Sequence, residues 1–298
     1  QDMHSMEIQS SVRAIGRAGA GTNNIPVKAM SARGVPVFNA PGANANAVKE
    51  LVLAGMLMAA RNLAPALDFA KETSRAEADE AKLAKKVEDG KKNFAGIELP
   101  GNTLGIIGLG KIGSLLADAA IKLGMNVLGY DPEITVDAAW GLPSQVRRAN
   151  TIEEVLKGSH FITVHVPLLE ATRHLINAGN LDLVRKGTIL LNFAREGIVD
   201  DSAVAAALDK GQLKAYVTDF PTHELSSNPR VIALPHLGAS TREAEDNCAV
   251  MVVDQVREYL ENGNVQNAVN FPNVVMTRES PYRIAIANAN VPNMVGPV

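Results

Sequence analysis

A single cysteine, Cys248, excludes any intrachain disulfide, so the fold has to be held by packed apolar cores. That usage fits a reducing compartment such as the cytoplasm. Positive charge is not in excess either. The formal net charge is −3, which gives no global basic field to attract nucleic acid or an anionic membrane. An anionic ligand has to be held by a few local cations. No apolar run approaches the length of a bilayer span. The opening residues, Gln1-Asp2-Met3-His4, lack the apolar core of a signal peptide. They also lack an initiator Met at position 1, and the expectation is a chain that starts part-way into a longer protein.

What is present suits a soluble enzyme-sized fold. The 298 residues are enough for two domains, and 46% hydrophobic with 20% charged residues can fill real cores under a polar surface. From residue 104 onward, short apolar runs alternate with helix-length stretches. Residues 104–107, 126–130, 161–166, 188–193, 215–218 and 231–234 read as strands, short, apolar and partly β-branched like fully buried parallel strands. Helices are expected over 112–123, 152–156, 181–185, 202–210 and 242–261. This alternation predicts a doubly wound α/β domain. Before it, the alanine-rich, proline-free stretch 45–60 reads as a buried helix, and 71–92, charged in both signs, as a solvated helix or linker. After Gly263 the composition shifts to Asn, Pro and Val, which marks a second boundary.

Gly108-Leu109-Gly110-Lys111-Ile112-Gly113 has the G-x-G-x-x-G spacing. The first glycine permits a tight turn, the second lets a pyrophosphate approach the backbone, and the third lets helix pack on strand. The following helix start, with Lys111 and Ile112, offers free N–H groups to phosphate. The hexapeptide alone is a weak signal, but here an apolar strand precedes it, a helix follows, and a second strand ends at Asp131. Asp131 stands where an acid that binds the adenosine ribose belongs. A carboxylate there repels a 2′-phosphate, and neither Pro132 nor Glu133 supplies a cation, so NAD is favoured over NADP. The competing reading is that Asp131 only starts a turn with Pro132.

Hydride chemistry at a hydroxyl-bearing carbon needs a group that moves the hydroxyl proton, and histidine titrates in the right range. Of six histidines, His4 lies near a terminus, His160 and His174 have surface-like surroundings, and His223 sits in a polar loop. His165 ends a strand with nothing nearby to tune it. His236 follows the 231–234 strand and so stands at the carboxyl end of a parallel strand, where open α/β sheets bind ligands. Arg195 follows the 188–193 strand and suits bidentate capture of a carboxylate, unless it merely pairs with Glu196. Glu224, five residues after Asp219, is either an imidazole-orienting carboxylate or an exposed loop residue.

Several segments match one family in order: residues 16–25 (Gly16-Arg17-Ala18-Gly19-Ala20-Gly21-Thr22-Asn23-Asn24-Ile25), Asn39-Ala40-Pro41-Gly42-Ala43-Asn44, the glycine loop, Tyr130-Asp131-Pro132, 192–200, 216–221 and 235–241. The chain resembles the D-isomer-specific 2-hydroxyacid dehydrogenases, most closely the D-3-phosphoglycerate dehydrogenases of bacteria. The resemblance implies that Arg195, Glu224 and His236 are catalytic. Arg195 would hold the substrate carboxylate and polarise the C2 oxygen, His236 paired with Glu224 would take the hydroxyl proton, and the C2 hydride would pass to nicotinamide. It implies that Gly19, Ala20 and Gly21 help bind the carboxylate, with Arg17 a partner for a substrate phosphate. It places His165, Pro167, Thr172, Phe193, Ala194, Asp219 and Gly238 beside the cofactor, and it implies no metal. Where many members have Gly-Gly after the arginine, this chain has Glu196-Gly197.

The implied architecture is a Rossmann-like NAD-binding domain over 82–263 and a smaller discontinuous α/β substrate domain from 1–81 and 264–298. The 45–60 helix is expected to cross between domains and contribute to a homodimer or homotetramer contact, and the first 44 residues to carry an open strand edge. Residues 282–298 resemble the opening of an ACT regulatory domain. The implied substrate is a small anionic 2-hydroxy or 2-oxo acid, 3-phospho-D-glycerate above others such as glycerate, lactate or glyoxylate, oxidised as in serine biosynthesis. A non-catalytic NAD(H)-sensing corepressor on the same fold is the alternative of a different class.

Overall fold

The structure, a computed structural model, describes residues 2–283. The ACT-like reading of 282–298 therefore falls, from residue 284 on, outside the described residues. The chain opens with β1 (Ile15–Arg17), α1 (Val27–Ala32) and β2 (Val37–Asn39), followed by three helices, α2 (Ala45–Ala60), α3 (Leu63–Ala76) and α4 (Glu80–Gly90). Strands and helices then alternate: β3 (Thr103–Ile107), α5 (Lys111–Lys122), β4 (Asn126–Tyr130), α6 (Val136–Trp140), β5 (Val146–Arg148), α7 (Ile152–Gly158) and β6 (Phe161–Val164). After β6 come α8 (Ala178–Leu181), β7 (Thr188–Asn192), α9 (Asp201–Asp209), β8 (Leu213–Thr218), β9 (Val231–Ala233) and α10 (Arg242–Asn262).

Strands β3 to β9 form one all-parallel sheet in the order β5-β4-β3-β6-β7-β8-β9. The order reverses between β3 and β6, which makes the carboxyl ends of those two strands the switch point of a doubly wound fold. Central strands β6 and β7 are buried at every position, because helices cover both sheet faces. Phe161, Ile189, Leu191 and Val217 join α2 and α5 in one core. Ile162, Val164, Leu190 and Tyr216 join α7 and α9 in the other. Each large side chain removed from water contributes about 1.5–3 kcal/mol. Helix starts are set by polar caps: Thr151, Asp200 and Thr241 each accept a backbone N–H from the first turn of α7, α9 and α10, worth about 1 kcal/mol apiece.

Several expectations are corrected. A seventh strand, β5, was not foreseen, since Val146-Arg147-Arg148 is an exposed edge strand without an apolar signature. The short helix expected over 181–185 lies at Ala178–Leu181, because Asn177 and Asn180 form a reciprocal capping pair that starts the turn earlier. The charged stretch 71–92 is two helices with no buried residues, divided where Glu77 turns extended and Asp79 caps α4. Helix α2 has the predicted bounds, and its apolar face is covered within its own unit by α5, β7 and β8, so burial alone gives it no surplus face; Leu57 stays exposed.

The chain divides into two compact units, one from the residues before Ala45 and after Ser240, the other Ala45–Ser240. The divisions between these units fall at 44/45 and 240/241, where the sequence placed boundaries at 81/82 and 263/264. Packing is the reason: α2 belongs to the seven-stranded sheet, whereas α10 packs on β1 and β2. In that first unit β1 and β2 form a two-stranded parallel sheet over a small core of Ile15, Ile25, Met30, Val35 and Val37. Among the described residues, no single helix is long and apolar enough to cross a membrane.

Candidate functional site

At the switch point the glycine loop is pressed against β6. Gly108 has φ +97°, and a Cβ there would sit 2.6 Å from the His165 carbonyl oxygen, so only glycine suits the position. A Cβ on Gly113 would collide with the Gly108 carbonyl, which is how α5 comes to lie so close under the loop. Gly110 differs, since a Cβ there would meet nothing within 4 Å. It stands at the N-terminus of α5 with no side chain capping the helix. The first N–H groups of α5, at Lys111 and Ile112, have no partner within the helix. Bare backbone, open space and a positive helix end together fit a pyrophosphate.

Asp131, at the end of β4, turns one carboxylate oxygen to the N–H of Leu109 (2.8 Å) and the other to that of Glu133 (3.0 Å). It thus ties the glycine loop to the strand where a ribose would lie and starts the Pro132 turn as well. An ionised carboxylate has lone pairs left for ribose hydroxyls. His165, beyond β6, is half-buried. Its Nε2 lies 2.9 Å from Thr163 Oγ1, while its Nδ1 is buried without a partner. Burial pushes its pKa down to about 4, so the ring is neutral near pH 7. An orphaned buried nitrogen beside the glycine loop also fits a ligand at this place. Thr172 folds the adjoining segment, donating to Pro167 O at 2.6 Å and accepting from Leu169 N at 2.8 Å.

The carboxyl ends of β7, β8 and β9 carry the catalytic candidates. Phe193 and Ala194 are buried and Arg195 emerges into solvent. Its backbone is set by Asn192, whose side chain donates to Arg195 O (2.9 Å) and accepts from Ala194 N (3.1 Å). The feared pairing with Glu196 is absent among the described residues; the Arg195 guanidinium donates instead to Ala194 O at 2.7 Å. Asp219, 1% exposed, accepts the N–H groups of Leu237 and Gly238, both at 2.8 Å. His236 is exposed, has φ +55°, and lies with its ring 5.0 Å from that of Phe220.

Arg195, Glu224 and His236 thus share one unit, but no hydrogen bond or ion pair joins any two of them among the described residues. The expected Glu224–His236 pair is not formed. Glu224 is exposed in the loop after β8 and acts on Asp201 instead, whose carboxyl is raised chiefly by burial and further by Glu224, Glu196 and Asp200. His160, taken for a surface residue, is half-buried and accepts the Thr103 N–H at its Nδ1 (3.0 Å). In the first unit, Arg17 ends β1 and lies on the turn of residues 18–21, its guanidinium donating to Ala18 O. Gly19 has φ +141°, and a Cβ there would strike the guanidinium.

Residues 53–238 match the family model described as D-isomer specific 2-hydroxyacid dehydrogenase, NAD binding domain. The chain belongs to this family. The matched stretch holds the glycine loop, Asp131, Arg195 and His236 within one D-2-hydroxyacid dehydrogenase domain, and the cofactor of that domain is NAD. Among curated relatives, the D-3-phosphoglycerate dehydrogenase of Methanocaldococcus jannaschii is 39% identical over 275 residues, 90% of this chain and 49% of that protein. That of Bacillus subtilis is 35% identical over 282 residues, 92% of this chain and 50% of that protein. The chain therefore spans about half the length of the curated relatives it matches. A glyoxylate reductase from Paecilomyes thermophila superposes with a TM-score of 0.72 at 26% identity, covering 87% of this chain and 76% of that one. Two residues of this family member were missed in the sequence, Asn192 and Asn39. Each is a polar residue closing an apolar strand, Leu190-Leu191-Asn192 and Val37-Phe38-Asn39, and that break in pattern was the available signal.

Proposed function

We infer that this chain is the catalytic core of an NAD-dependent oxidoreductase acting on a D-2-hydroxy acid, with 3-phospho-D-glycerate and its 2-oxo partner, 3-phosphohydroxypyruvate, as the favoured pair. The observation that carries the reading is the loop 236–238 held on Asp219 at the carboxyl edge of the same sheet that presents Arg195 and the glycine loop. The relatives' names, at 35–39% identity, support this choice of substrate. Bound NAD supplies the hydride acceptor. The Arg195 guanidinium binds the substrate carboxylate in bidentate fashion and polarises the C2 oxygen. An imidazole nitrogen of His236 takes the C2 hydroxyl proton, and Glu224 is the carboxylate assigned to stabilise the imidazolium. Residues 19–21 bind carboxylate through backbone N–H groups, and Arg17 answers a substrate phosphate. A homodimer or homotetramer in the cytoplasm belongs to the same reading; the exposed Leu57, Leu63 and Leu67 near the α2–α3 junction support a self-contact.

The missing contact between Glu224 and His236 favours one rival, an NAD(H)-sensing protein without turnover. Mixing the chain with NADH and a panel of 2-oxo acids, phosphohydroxypyruvate included, and following NADH absorbance decides between them. Turnover with preference for the phosphorylated acid supports the proposal. NADH binding without turnover of any acid supports the sensor.

A further inference from the structure

The turn after β1 is shaped from outside by the end of β2. The two strands are parallel, with Arg17 opposite Asn39, so both deliver their next residues to the same end. There, two successive carbonyls of the turn are taken up by two consecutive residues of the neighbouring segment. The Ala40 N–H donates to Gly19 O at 3.0 Å. The Asn39 side chain donates from Nδ2 to Ala20 O at 2.7 Å. A trans peptide is planar, and its C=O and N–H point in opposite directions. The peptide that carries Gly19 O also carries the Ala20 N–H, and the peptide that carries Ala20 O also carries the Gly21 N–H. Tying both carbonyls back to residues 39 and 40 therefore turns both N–H groups away from the β2 end. Neither N–H has a partner among the described residues. Two successive outward amides with the Arg17 guanidinium on the same turn form a concavity for an oxyanion.

We propose that Asn39 is a positioning residue for the anionic substrate, its carboxamide fixing the Ala20–Gly21 peptide so that the turn presents N–H groups rather than carbonyls to a carboxylate. This rests on the substrate-binding role given above to residues 17–21, and adds the group that orients them. The side-chain chemistry is restrictive. Aspartate has the same shape but cannot donate to Ala20 O, and it would set a negative charge behind the anion. Alanine leaves that carbonyl free to rotate toward the ligand, where it repels it. The Ala40 N–H is a backbone donor and survives either change, so the fold of the turn has a second anchor.

The test uses the whole chain with Asn39→Ala and Asn39→Asp, measuring KM and kcat for the best 2-oxo acid at saturating NADH, and NADH affinity separately by fluorescence titration. An interaction made equally in ground and transition state shows in KM alone. Asn39→Ala is expected to raise KM about tenfold and Asn39→Asp further, with kcat and NADH affinity within about twofold of the parent. Unchanged KM in a parent that turns over overturns the proposal. So does a parallel loss of kcat, KM and NADH affinity, which marks a merely structural residue. Should Asn39→Ala lose its cooperative melt, the isosteric Asn39→Asp carries the measurement alone. A parent chain that binds NADH but neither turns over nor binds any 2-oxo acid removes the functional reading itself, and this proposal with it.

Discussion

Asp219 and His236 are joined through the backbone: the His236 N–H donates to the Asp219 carbonyl at 3.1 Å, and the two carboxylate oxygens of Asp219 take the next two N–H groups, those of Leu237 and Gly238. His236 holds φ +55°, a conformation that costs a side-chain-bearing residue about 1 kcal/mol or more and persists only where its surroundings impose it. The buried carboxylate is what imposes it. Asp219→Asn keeps the shape but sets an amide N–H against one of the two donors. Turnover is expected to fall about ten- to a hundredfold, on the scale of a lost hydrogen bond to a charged group. Steady-state kinetics with a melting curve check this, and wild-type turnover in a folded variant would show that the loop holds itself.

His236→Ala tests the proton carrier directly. Removal of a general acid–base group lowers turnover by about a hundredfold or more. NADH affinity, read by calorimetric titration, should change little. Near-parental turnover in this variant would move the assignment to another histidine.

Asp131→Ala removes two things together, the ribose partner and the acceptor that ties Leu109 N to the end of β4. NAD affinity should weaken while the gap in kcat/KM between NAD and NADP narrows, because the charge that repels a 2′-phosphate is gone. A parent chain that already prefers NADP would contradict the reading of this residue.

His165 predicts an acid limb in stability. In the folded chain its ring stays neutral down to about pH 4, whereas an unfolded histidine takes up its proton near pH 6.5. The unfolded state therefore binds more protons between those values, and stability falls as pH drops from about 6.5 to about 4, by at most about 3 kcal/mol. Denaturant titrations of the parent and of His165→Asn across that window should show a shallower decline in the variant. Parallel declines would mean that other groups dominate the acid limb.

The parallel sheet was readable because buried parallel strands leave continuous apolar runs. Thr188-Ile189-Leu190-Leu191 and Phe161-Ile162-Thr163-Val164 announce themselves, and Gly108, Gly110 and Gly113 in line after β3 announce the dinucleotide loop. Strand β5 did not, since an edge strand with Arg147 and Arg148 exposed needs no apolar pattern. The domain boundaries escaped for a related reason. Helix periodicity shows that α2 and α10 bury a face, but not which sheet covers it; contacts distant in sequence assign α2 to β7 and β8 and α10 to β1 and β2. The candidate site divides in the same way. Residue type and strand-end position were enough to nominate Arg195 and His236. Local order in the chain carries no information on what Asp219 and Asn39 hold, because each acts by hydrogen bonds to backbone groups some twenty residues away that only the fold brings alongside. The same holds for Glu224, which the family resemblance paired with His236 and which the folded loop leaves in solvent near Asp201.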